Sequence, residues 1–428
     1  MAYKPKYAQG GSPKKNTVIR EPVQQPRQPQ KMKKGVLILF IVLGLVVVPV
    51  SSWLTVRLLG GIYENVGRPK QAAQAKSADM QILENFEDTV SARISAVRNS
   101  MRPADLEELP EELRPTEETL PPIRKQYWLE EDTLVAPEPD QSKFGSTTDP
   151  EELAQVLHDA RWLLDGQTTY FQPDQKLYEE STVRYYLDDS IFAITWQEVH
   201  DGSVYTYSEV KVSHPSQFRR HLSGEEFGSG MLSLTSEMAQ SVHAVVGCSG
   251  DYYSYRRRGL TIVDGQVKKY VPGLPDTCYV NADGDLILER DQDFADVDAV
   301  QVYVDENDIQ FSLSFGPILV KDGENVCPNG YDLGEVKQRY SRAAICQMDK
   351  LHYLYIAAGM DVDTYGLMTM RTFSKHVAET GCRQAYALDG GQTTTIVLNN
   401  EVINHVNYGS ERRISDIIYF ATAIPEGE

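Results

Sequence analysis

Basic residues are scarce in this sequence, and they are unevenly placed. Across 428 residues, 42 lysines and arginines oppose 61 acids, which gives a net charge of −19. Nine of those basic residues and a single acid, Glu21, lie in the first 34 residues, a local charge of +8 that leaves the remainder at about −27. An acidic body repels phosphate backbones, so the composition argues against a nucleic-acid-binding protein.

Several short catalytic motifs are also missing. The chain has no P-loop, no GxSxG pentapeptide and no HExxH helix, and its eight histidines show no metal-ligand spacing. The segment 247–250 (GCSG) places a serine between glycines but lacks the pentapeptide. These absences argue against a P-loop NTPase, a serine hydrolase and a zinc protease. Hydrolysis by carboxylates stays open.

The sequence has one long apolar run. Residues 35–56 contain no charge, and as a helix they are long enough to span a hydrocarbon core of about 30 Å. Three lysines within 31–34 precede the run, so the positive-inside bias predicts a single-pass helix in the cell membrane, with a cytoplasmic tail, 1–34, and residues 57–428 outside. The competing interpretation is a cleaved signal peptide, because the run contains small residues; its long leading segment argues against that.

Cysteine is scarce as well. The five cysteines are Cys248, Cys278, Cys327, Cys346 and Cys382, and no two form a CxxC pair. All of them lie in the part predicted to be outside the membrane, where disulfides can form. An arrangement with one disulfide and some buried thiols is one of several that the sequence allows.

Two extended segments make up a predicted stalk, 57–140. Within 70–100, apolar residues recur at helical spacing, which predicts a polar helix that either self-associates with a second copy or stands solvated on its own. Residues 101–140 hold seven prolines and twelve acids against four bases. This composition predicts an extended, self-repelling spacer that lifts the body off the membrane.

The body is predicted to be α+β, a largely antiparallel or mixed β-sheet with packed helices, preceded by the transmembrane helix and the stalk. A helical lead-in, 141–189, has an N-cap and a first-turn proline at Asp149-Pro150. In the main domain, 190–428, Asp-Gly pairs between strand-like runs predict four hairpins, at 201–202, 264–265, 283–284 and 322–323. Further on, 370–381 predicts a helix that ends at a glycine, and 385–388 predicts a buried strand.

Two segments carry groups suited to an anionic ligand. In 388–395 (LDGGQTTT), an acid at the end of an apolar strand is followed by glycines and hydroxyl groups, which suits an oxyanion such as phosphate. In 249–256 (SGDYYSYR) there are a carboxylate, three aromatic faces for a sugar ring and a guanidinium that can grip phosphate. In isolation, the first segment also fits a plain turn and the second an edge strand.

A series of blocks, in order along residues 190–425, resembles the phosphodiester glycosidase family. The blocks include 250–259 (GDYYSYRRRG), 315–323 (FGPILVKDG), 342–345 (RAAI), 388–391 (LDGG) and 413–416 (RISD). The chain departs from the family pattern at three positions. Ser249 stands where asparagine is usual, Cys346 where glycine is usual, and Gln392 begins the pair that replaces Gly-Ser.

The resemblance implies a hydrolase that cleaves the glycosidic bond of sugar-1-phosphodiesters. With the predicted transmembrane helix, it would be membrane-anchored and would act outside the cell membrane on envelope glycans or glycolipids. Phosphate is a weakly basic leaving group, so such an enzyme gains more from stabilising an oxocarbenium-like centre than from protonating the leaving group. Asp389 would act at the anomeric carbon, as nucleophile or as base, with Asp251 as its catalytic partner. Substrate contacts are expected from Ser249, Gly250, Arg256, Arg342, Gly390, Gly391, Thr393, Thr394, Arg412 and Asp416.

Other functions stay open from the sequence. If Asp251, Asp389 and Asp416 converged, they would form an oxygen-only metal site, which favours Ca²⁺ or Mg²⁺. The main alternative to an enzyme is a non-catalytic protein that binds a phosphorylated glycan and assists exopolysaccharide or cell-envelope assembly. The departures at Ser249 and Cys346 favour it. A scaffold that assembles through its stalk is the third interpretation.

Overall fold

The computed structural model of this chain describes most of the predicted body. The described residues are 126–130, 132–224, 226–273, 275–331, 336–359 and 368–425. The predicted tail 1–34, the apolar run 35–56 with its signal-peptide alternative, and the helix predicted within 70–100 lie outside them. Among the described residues, no helix combines the length and the apolarity that crossing a bilayer requires.

Four α-helices and nineteen β-strands form in the described residues, so the α+β prediction is confirmed. The helices are α1 Pro150–Leu164, α2 Thr235–Ser241, α3 Val297–Glu306 and α4 Met370–Glu379. The strands are β1 Phe144–Thr147, β2 Val183–Leu187, β3 Ile191–His200, β4 Ser203–Val212, β5 Phe218–Leu222, β6 Val246–Ser249, β7 Gly259–Val263, β8 Gln266–Val271, β9 Thr277–Asn281, β10 Leu286–Glu289, β11 Ile309–Leu313, β12 Ile318–Lys321, β13 Glu324–Asn325, β14 Arg342–Asp349, β15 His352–Ala358, β16 Gln384–Leu388, β17 Ile396–Leu398, β18 Glu401–Val402 and β19 Asp416–Phe420.

These strands pair antiparallel in four sheets. The nine-stranded sheet has the order β1-β2-β3-β4-β15-β14-β16-β12-β13, and the five-stranded sheet the order β18-β17-β6-β19-β5. The strands β10-β9-β11 form a three-stranded sheet, and β7-β8 form a hairpin. In the nine-stranded sheet, Ala343 of β14 lies between Ala357 of β15 and Leu388 of β16. The residues after Leu388 therefore leave the sheet beside its central strands.

The two larger sheets pack face to face around the main core. Ile345 and Tyr355 from the nine-stranded sheet meet Cys248 and Ile418 from the five-stranded sheet. On its outer face the nine-stranded sheet is covered by α1 and α4, and α2 covers the outer face of the five-stranded sheet. This layering of helix, sheet, sheet and helix buries both faces of the central strands. It explains why β4 is buried at every position instead of alternating.

The Asp-Gly turns fold as predicted. Asp201 and Gly202 join β3 to β4, and their φ angles of 51° and 75° are those that a two-residue hairpin turn requires. The pairs at 264–265 and 322–323 join β7 to β8 and β12 to β13 in the same way. The pair at 283–284 lies in a longer turn between β9 and β10, where the side chain of Asn281 accepts two backbone hydrogen bonds. All four predicted hairpins are confirmed.

Capping residues set the ends of the predicted helices. Asp149 accepts hydrogen bonds from the N–H groups of Glu151 and Glu152, and Pro150 opens α1, as predicted. Helix α4 ends just before Gly381, as predicted. The segment predicted as a helical lead-in also contains β1 and β2, which add two strands to the edge of the nine-stranded sheet.

The cysteines are all free thiols, and four of the five are buried. The arrangement with one disulfide is therefore not the one found. Cys346, a departure from the family pattern, packs among apolar side chains between β14 and the covering helices. This departure lies in the core, so it changes no group at the protein surface.

Candidate active site

The residues after β16 form a tight turn against the start of β14. Gly391–Thr393 make a single 3-10 turn, and the N–H of Gly391 donates a 2.9 Å hydrogen bond to the carbonyl oxygen of Ser341. A Cβ at Gly390 would overlap the same carbonyl group, so only glycine fits there. Asp389 opens this turn in a half-buried position, and its Oδ1 accepts a 3.1 Å hydrogen bond from the N–H of Gly390.

Asp389 carries a perturbed carboxyl group. Burial raises its pKa to about 6, and this effect outweighs those of Arg256, the Thr393 hydroxyl, Arg412 and the Gly390 N–H, all of which lower it. A carboxyl group with a pKa near neutrality can serve as a base or a nucleophile at physiological pH. The position and the chemistry of Asp389 are therefore those of a candidate catalytic residue.

Arg256 brings positive charge to the same place. Its guanidinium lies 3.8 Å from the ring centroid of Phe315, and its charge acts to lower the pKa of Asp389 and also that of Asp251. Phe315 lies in the loop between β11 and β12. The next residue, Gly316, donates a 3.2 Å backbone hydrogen bond to Ala387 of β16. This loop therefore supports Arg256 beside β16, the strand that directly precedes Asp389.

Arg412 is a second cation near Asp389, and it is exposed. Its guanidinium lies 5.3 Å from the ring centroid of Tyr252 and 5.8 Å from that of Tyr255. The charge of Arg412 also acts to lower the pKa of Asp389. Its neighbour Arg413 binds elsewhere, with two hydrogen bonds of 2.7 and 2.9 Å to Glu237 of α2. A half-buried carboxyl group and two arginines thus share one accessible site.

Asp251 and Asp416 lie inside the protein, bound to a buried arginine. Arg220 of β5 donates through Nη2 to Asp251 Oδ1 at 2.7 Å and to Asp416 Oδ2 at 3.0 Å. Both aspartates are 0% exposed. Asp251 Oδ2 accepts a 2.7 Å hydrogen bond from the N–H of Ser314, and burial raises the pKa of Asp251 to about 7 against the opposing charge of Arg220. Neither carboxyl group is accessible to a substrate.

Ser249 and Gly250 are buried together with this cluster. A Cβ at Gly250 would overlap the Asp416 carboxylate, so glycine is required here for Asp416 to reach Arg220. Ser249 Oγ lies 3.0 Å from the hydroxyl oxygen of Tyr355 and accepts a 3.3 Å hydrogen bond from the N–H of Thr395. These two residues fix the end of β6 in the five-stranded sheet and present no free group to a ligand.

The other predicted substrate contacts are mostly engaged within the protein. Arg342 Nη2 donates a 2.7 Å hydrogen bond to the carbonyl oxygen of Gln338, and the Thr393 hydroxyl donates one of 2.8 Å to Gly390. Thr394 differs, because its hydroxyl is buried and has no hydrogen-bond partner among the described residues. Of the residues predicted to bind substrate, the accessible site brings together Arg256, Arg412 and the turn that follows Asp389.

The buried arginine also bears on the metal site considered from the sequence. Asp251 and Asp416 do converge, but they converge on the guanidinium of Arg220, which would repel a divalent cation placed between them. Asp389 interacts instead with the positive charges of Arg256 and Arg412, which lower its pKa and would also repel a cation. Within the described ranges, no group of three or more His, Cys, Asp or Glu side chains is placed to hold a metal ion. The three aspartates therefore do not fit a Ca²⁺ or Mg²⁺ site.

Arg220 is the residue of this region that the sequence analysis missed. It lies between Phe218 and Leu222 on β5, in a strand whose alternate positions are buried. An arginine at a position that strand alternation assigns to the core was the available signal, because a buried guanidinium requires carboxylate partners.

Comparison with known proteins identifies the domain that holds these residues. Residues 242–421 match the phosphodiester glycosidase family. This part of the chain is therefore a phosphodiester glycosidase domain. Domains of this family are of a glycosidase-like hydrolase class. The matched range contains Asp251, Arg256, Asp389 and Arg412, and the resemblance inferred from the sequence blocks is confirmed. No curated protein matches the chain significantly.

Two solved structures are similar to this chain at low sequence identity. One is the catalytic domain of zebrafish N-acetylglucosamine-1-phosphodiester alpha-N-acetylglucosaminidase, auto-inhibited by its pro-peptide, with 17% identity, a TM-score of 0.45, and coverage of 61% of this chain and 93% of that chain. The other is a hypothetical protein from Synechocystis, with 14% identity, a TM-score of 0.40, and coverage of 58% and 64%. At this similarity, no residue role transfers from either structure.

Proposed function

We propose that this domain hydrolyses the glycosidic bond of sugar-1-phosphodiesters. The observation that carries the proposal is a half-buried carboxyl group, Asp389, with its pKa raised to about 6 and with the charges of Arg256 and Arg412 acting on it. A carboxylate can act at an anomeric carbon, and guanidinium groups bind phosphate through paired hydrogen bonds. A sugar joined through phosphate presents both targets side by side. The family of residues 242–421 supports the same reaction class.

In the proposed reaction, Asp389 acts at the anomeric carbon, either as the nucleophile or as the base for a water molecule. The bond between that carbon and the phosphate oxygen breaks, and its electron pair leaves with the phosphate monoester. Water supplies the new hydroxyl group of the released sugar. Arg256 and Arg412 stabilise the negative charge of the leaving phosphate. Because the leaving group is weakly basic, no acid is needed to protonate it.

Asp251 has a positioning role in this proposal, in place of the catalytic role expected from the sequence. Its Oδ2 accepts a hydrogen bond from the N–H of Ser314. The next residue, Phe315, packs its ring against the guanidinium of Arg256. The charge of Arg256 in turn lowers the pKa of Asp389. The two aspartates therefore belong to one connected arrangement, in which Asp389 alone is accessible.

The apolar run that precedes the domain bears on the cellular location of the proposed activity. We propose that residues 35–56 anchor the chain in the cell membrane with the domain outside, so that its substrates are envelope glycans or glycolipids. The support is the uncharged run and the lysines that precede it. Cleavage of the domain from intact cells by added protease is the expected result, and complete protection would contradict an outward domain.

Turnover of a synthetic sugar-1-phosphodiester by the full-length chain tests the proposed reaction. In water labelled with oxygen-18, cleavage of the glycosidic bond places the label in the sugar, and mass spectrometry should detect labelled sugar with unlabelled phosphate monoester. Label in the phosphate would mean that the phosphorus–oxygen bond breaks. Binding without turnover would mean a non-catalytic protein that binds a glycan phosphate. Either result contradicts the proposal.

The pH dependence of the rate should follow Asp389. Its ionised form is the active one in this proposal, and its pKa is raised to about 6. We therefore expect kcat/KM to rise about tenfold per pH unit below pH 6 and to level off above it. Rates measured between pH 4 and pH 9 check this expectation. A rate that falls as the pH rises through 6 would mean that the protonated carboxyl group is the active form.

Replacing Arg412 by glutamine should weaken phosphate binding. A charge-assisted hydrogen bond to phosphate contributes on the order of 1.5 kcal/mol at such an exposed position. Because Arg412 is proposed to stabilise the charge that develops on the leaving phosphate, we expect kcat/KM to fall about tenfold, with part of the loss in kcat. The matched control is Arg413→Gln, because Arg413 is the adjacent arginine and binds Glu237 instead. Equal effects of the two substitutions would contradict a phosphate contact by Arg412.

A further inference from the structure

The loop between β5 and α2 exposes two adjacent apolar side chains. Met231 is 57% exposed and Leu232 is 37% exposed. Gly228 and Gly230 precede them with φ angles of 82° and 72°, which favour glycine, so the course of this loop is set by its own sequence. Adjacent apolar side chains in contact with water lose the free energy that burial would give them. A contiguous surface of this kind often marks a binding site.

This loop contacts two segments of the candidate active site. The ring of Phe227 stacks on that of Tyr253, with the ring centroids 5.1 Å apart. The carbonyl oxygen of Leu232 accepts a 3.4 Å hydrogen bond from Nη1 of Arg413, the residue after Arg412. The exposed pair therefore lies beside the segment that carries the proposed phosphate-binding arginine.

Tyr255 adds an aromatic ring to this surface. It is 73% exposed, and its ring centroid lies 5.6 Å from that of Tyr252 and 5.8 Å from the guanidinium carbon of Arg412. Tyr255 and Leu232 are thus neighbours of the same short segment. We call Met231, Leu232 and Tyr255 the apolar rim. The rim lies beside the proposed phosphate contact of Arg412.

A short segment, 410–413, connects the turn after Asp389 with the apolar rim. The carbonyl oxygen of its first residue accepts a 3.1 Å hydrogen bond from Nε2 of Gln392 in that turn. Its last residue donates to the carbonyl oxygen of Leu232 in the rim. Arg412 therefore lies between the turn that carries the reacting carboxyl group and the rim.

A sugar-1-phosphodiester has its groups in the same order. The anomeric carbon is followed by the phosphate, and the phosphate by the carbon chain of the alcohol that leaves with it. With the anomeric carbon at Asp389 and the phosphate at Arg412, the alcohol extends over the apolar rim. The rim therefore contacts the part of the substrate that differs between a glycan and a lipid.

The side chains of the rim select an apolar alcohol. Met231 and Leu232 offer no strong hydrogen-bond donor or acceptor, so the hydroxyl groups of a sugar alcohol would lose bonds to water there without replacement. Methylene groups would instead gain free energy by covering the rim. We propose that the domain acts preferentially on lipid-linked substrates, sugar-1-phosphodiesters whose alcohol is a long apolar chain with its first carbons against the apolar rim. The inference rests on the proposed reaction and names the substrate class within it.

Binding of two alkyl phosphates to the full-length chain tests this assignment. Hexyl phosphate and methyl phosphate both represent the leaving group, and they differ only in the length of the alkyl chain. Isothermal titration calorimetry should show that hexyl phosphate binds about tenfold more tightly, since the rim removes part of its chain from water. The double variant Met231→Ser with Leu232→Ser should abolish that difference. Both side chains are exposed, so the variant should fold.

Two further variants complete the test. Val302→Ser is the matched control, because Val302 is an apolar residue of α3 that is 54% exposed, and it should keep the preference for hexyl phosphate. Arg412→Gln should weaken the binding of both phosphates by a similar factor. The inference is overturned if the wild-type chain binds the two phosphates equally, if the double variant keeps the preference, or if Val302→Ser removes it as well.

The binding measurement is independent of turnover. Equal binding of the two phosphates, together with cleavage of a sugar-1-phosphodiester, would refute the lipid preference alone. Tighter binding of hexyl phosphate without any cleavage would refute the proposed reaction and leave the rim as part of a site that binds lipid phosphates.

Discussion

Replacing Asp389 by asparagine is expected to lower kcat for a sugar-1-phosphodiester by about a thousandfold or more, because the amide can act neither as a nucleophile nor as a base. The substitution keeps the size of the side chain and the hydrogen bond from the Gly390 N–H. Single-turnover rates with the full-length chain measure the loss in the chemical step.

Folding of the Asp389→Asn variant should not suffer. Burial raises the pKa of Asp389, which means that the folded protein disfavours the ionised carboxyl group above about pH 6. A neutral amide removes that penalty, so thermal unfolding at pH 7.5 should occur at the same or a higher temperature. Asp264→Asn is the matched control, since Asp264 also precedes a glycine in a turn. Retention of most of the rate by Asp389→Asn, or an equal loss in the control, would show that Asp389 does not react.

Replacing Arg220 by methionine should cost about 3–5 kcal/mol of unfolding free energy, the usual result when one partner of a buried ion pair is removed. The reason is that Asp251 and Asp416, both 0% exposed, would lose the guanidinium that binds them. Urea-induced unfolding of the wild-type and variant chains measures this difference. It is the largest stability effect expected from a single substitution near the site.

Two further variants make the Arg220 prediction specific. Arg219→Met changes the adjacent arginine of β5, which bonds to the carbonyl oxygens of Ser216 and Glu130, and it should cost far less. The triple variant Arg220→Met with Asp251→Asn and Asp416→Asn should regain part of the loss, because the stranded charges are removed as well. Equal destabilisation by Arg219→Met and Arg220→Met would contradict a charge cluster centred on Arg220.

Local signals in the sequence predicted the elements of the fold better than their arrangement. Asp-Gly pairs specify hairpins through the φ angles of two adjacent residues, and Asp149 with Pro150 specifies the start of α1 through neighbouring N–H groups. The order of the nine-stranded sheet has no such local signal. Strand β15 lies between β4 and β14, and β16 lies between β14 and β12, so the pairing joins segments distant in the chain.

The same distinction separates the parts of the candidate site. The turn after Leu388 was predictable, because the close approach to Ser341 demands glycine directly beside the acid. The burial of Asp251 was not, because its partner Arg220 lies 31 residues earlier. An aspartate next to glycine occurs both in accessible loops and in buried ion pairs, so the local sequence does not show which environment its carboxylate has. The sequence therefore placed both aspartates in one region but did not distinguish the accessible one from the enclosed one.

The pairing of β4 with β15 has a consequence for how the chain can be shortened. Residues 205–211 of β4 pair along the length of β15, and together with Arg220 they precede residue 242, where the family match begins. Truncation at that boundary would expose the backbone of β15 as a template for aggregation and would strand two acids in the interior. The strands that precede residue 242 are therefore part of the fold of this domain, although the family match does not include them.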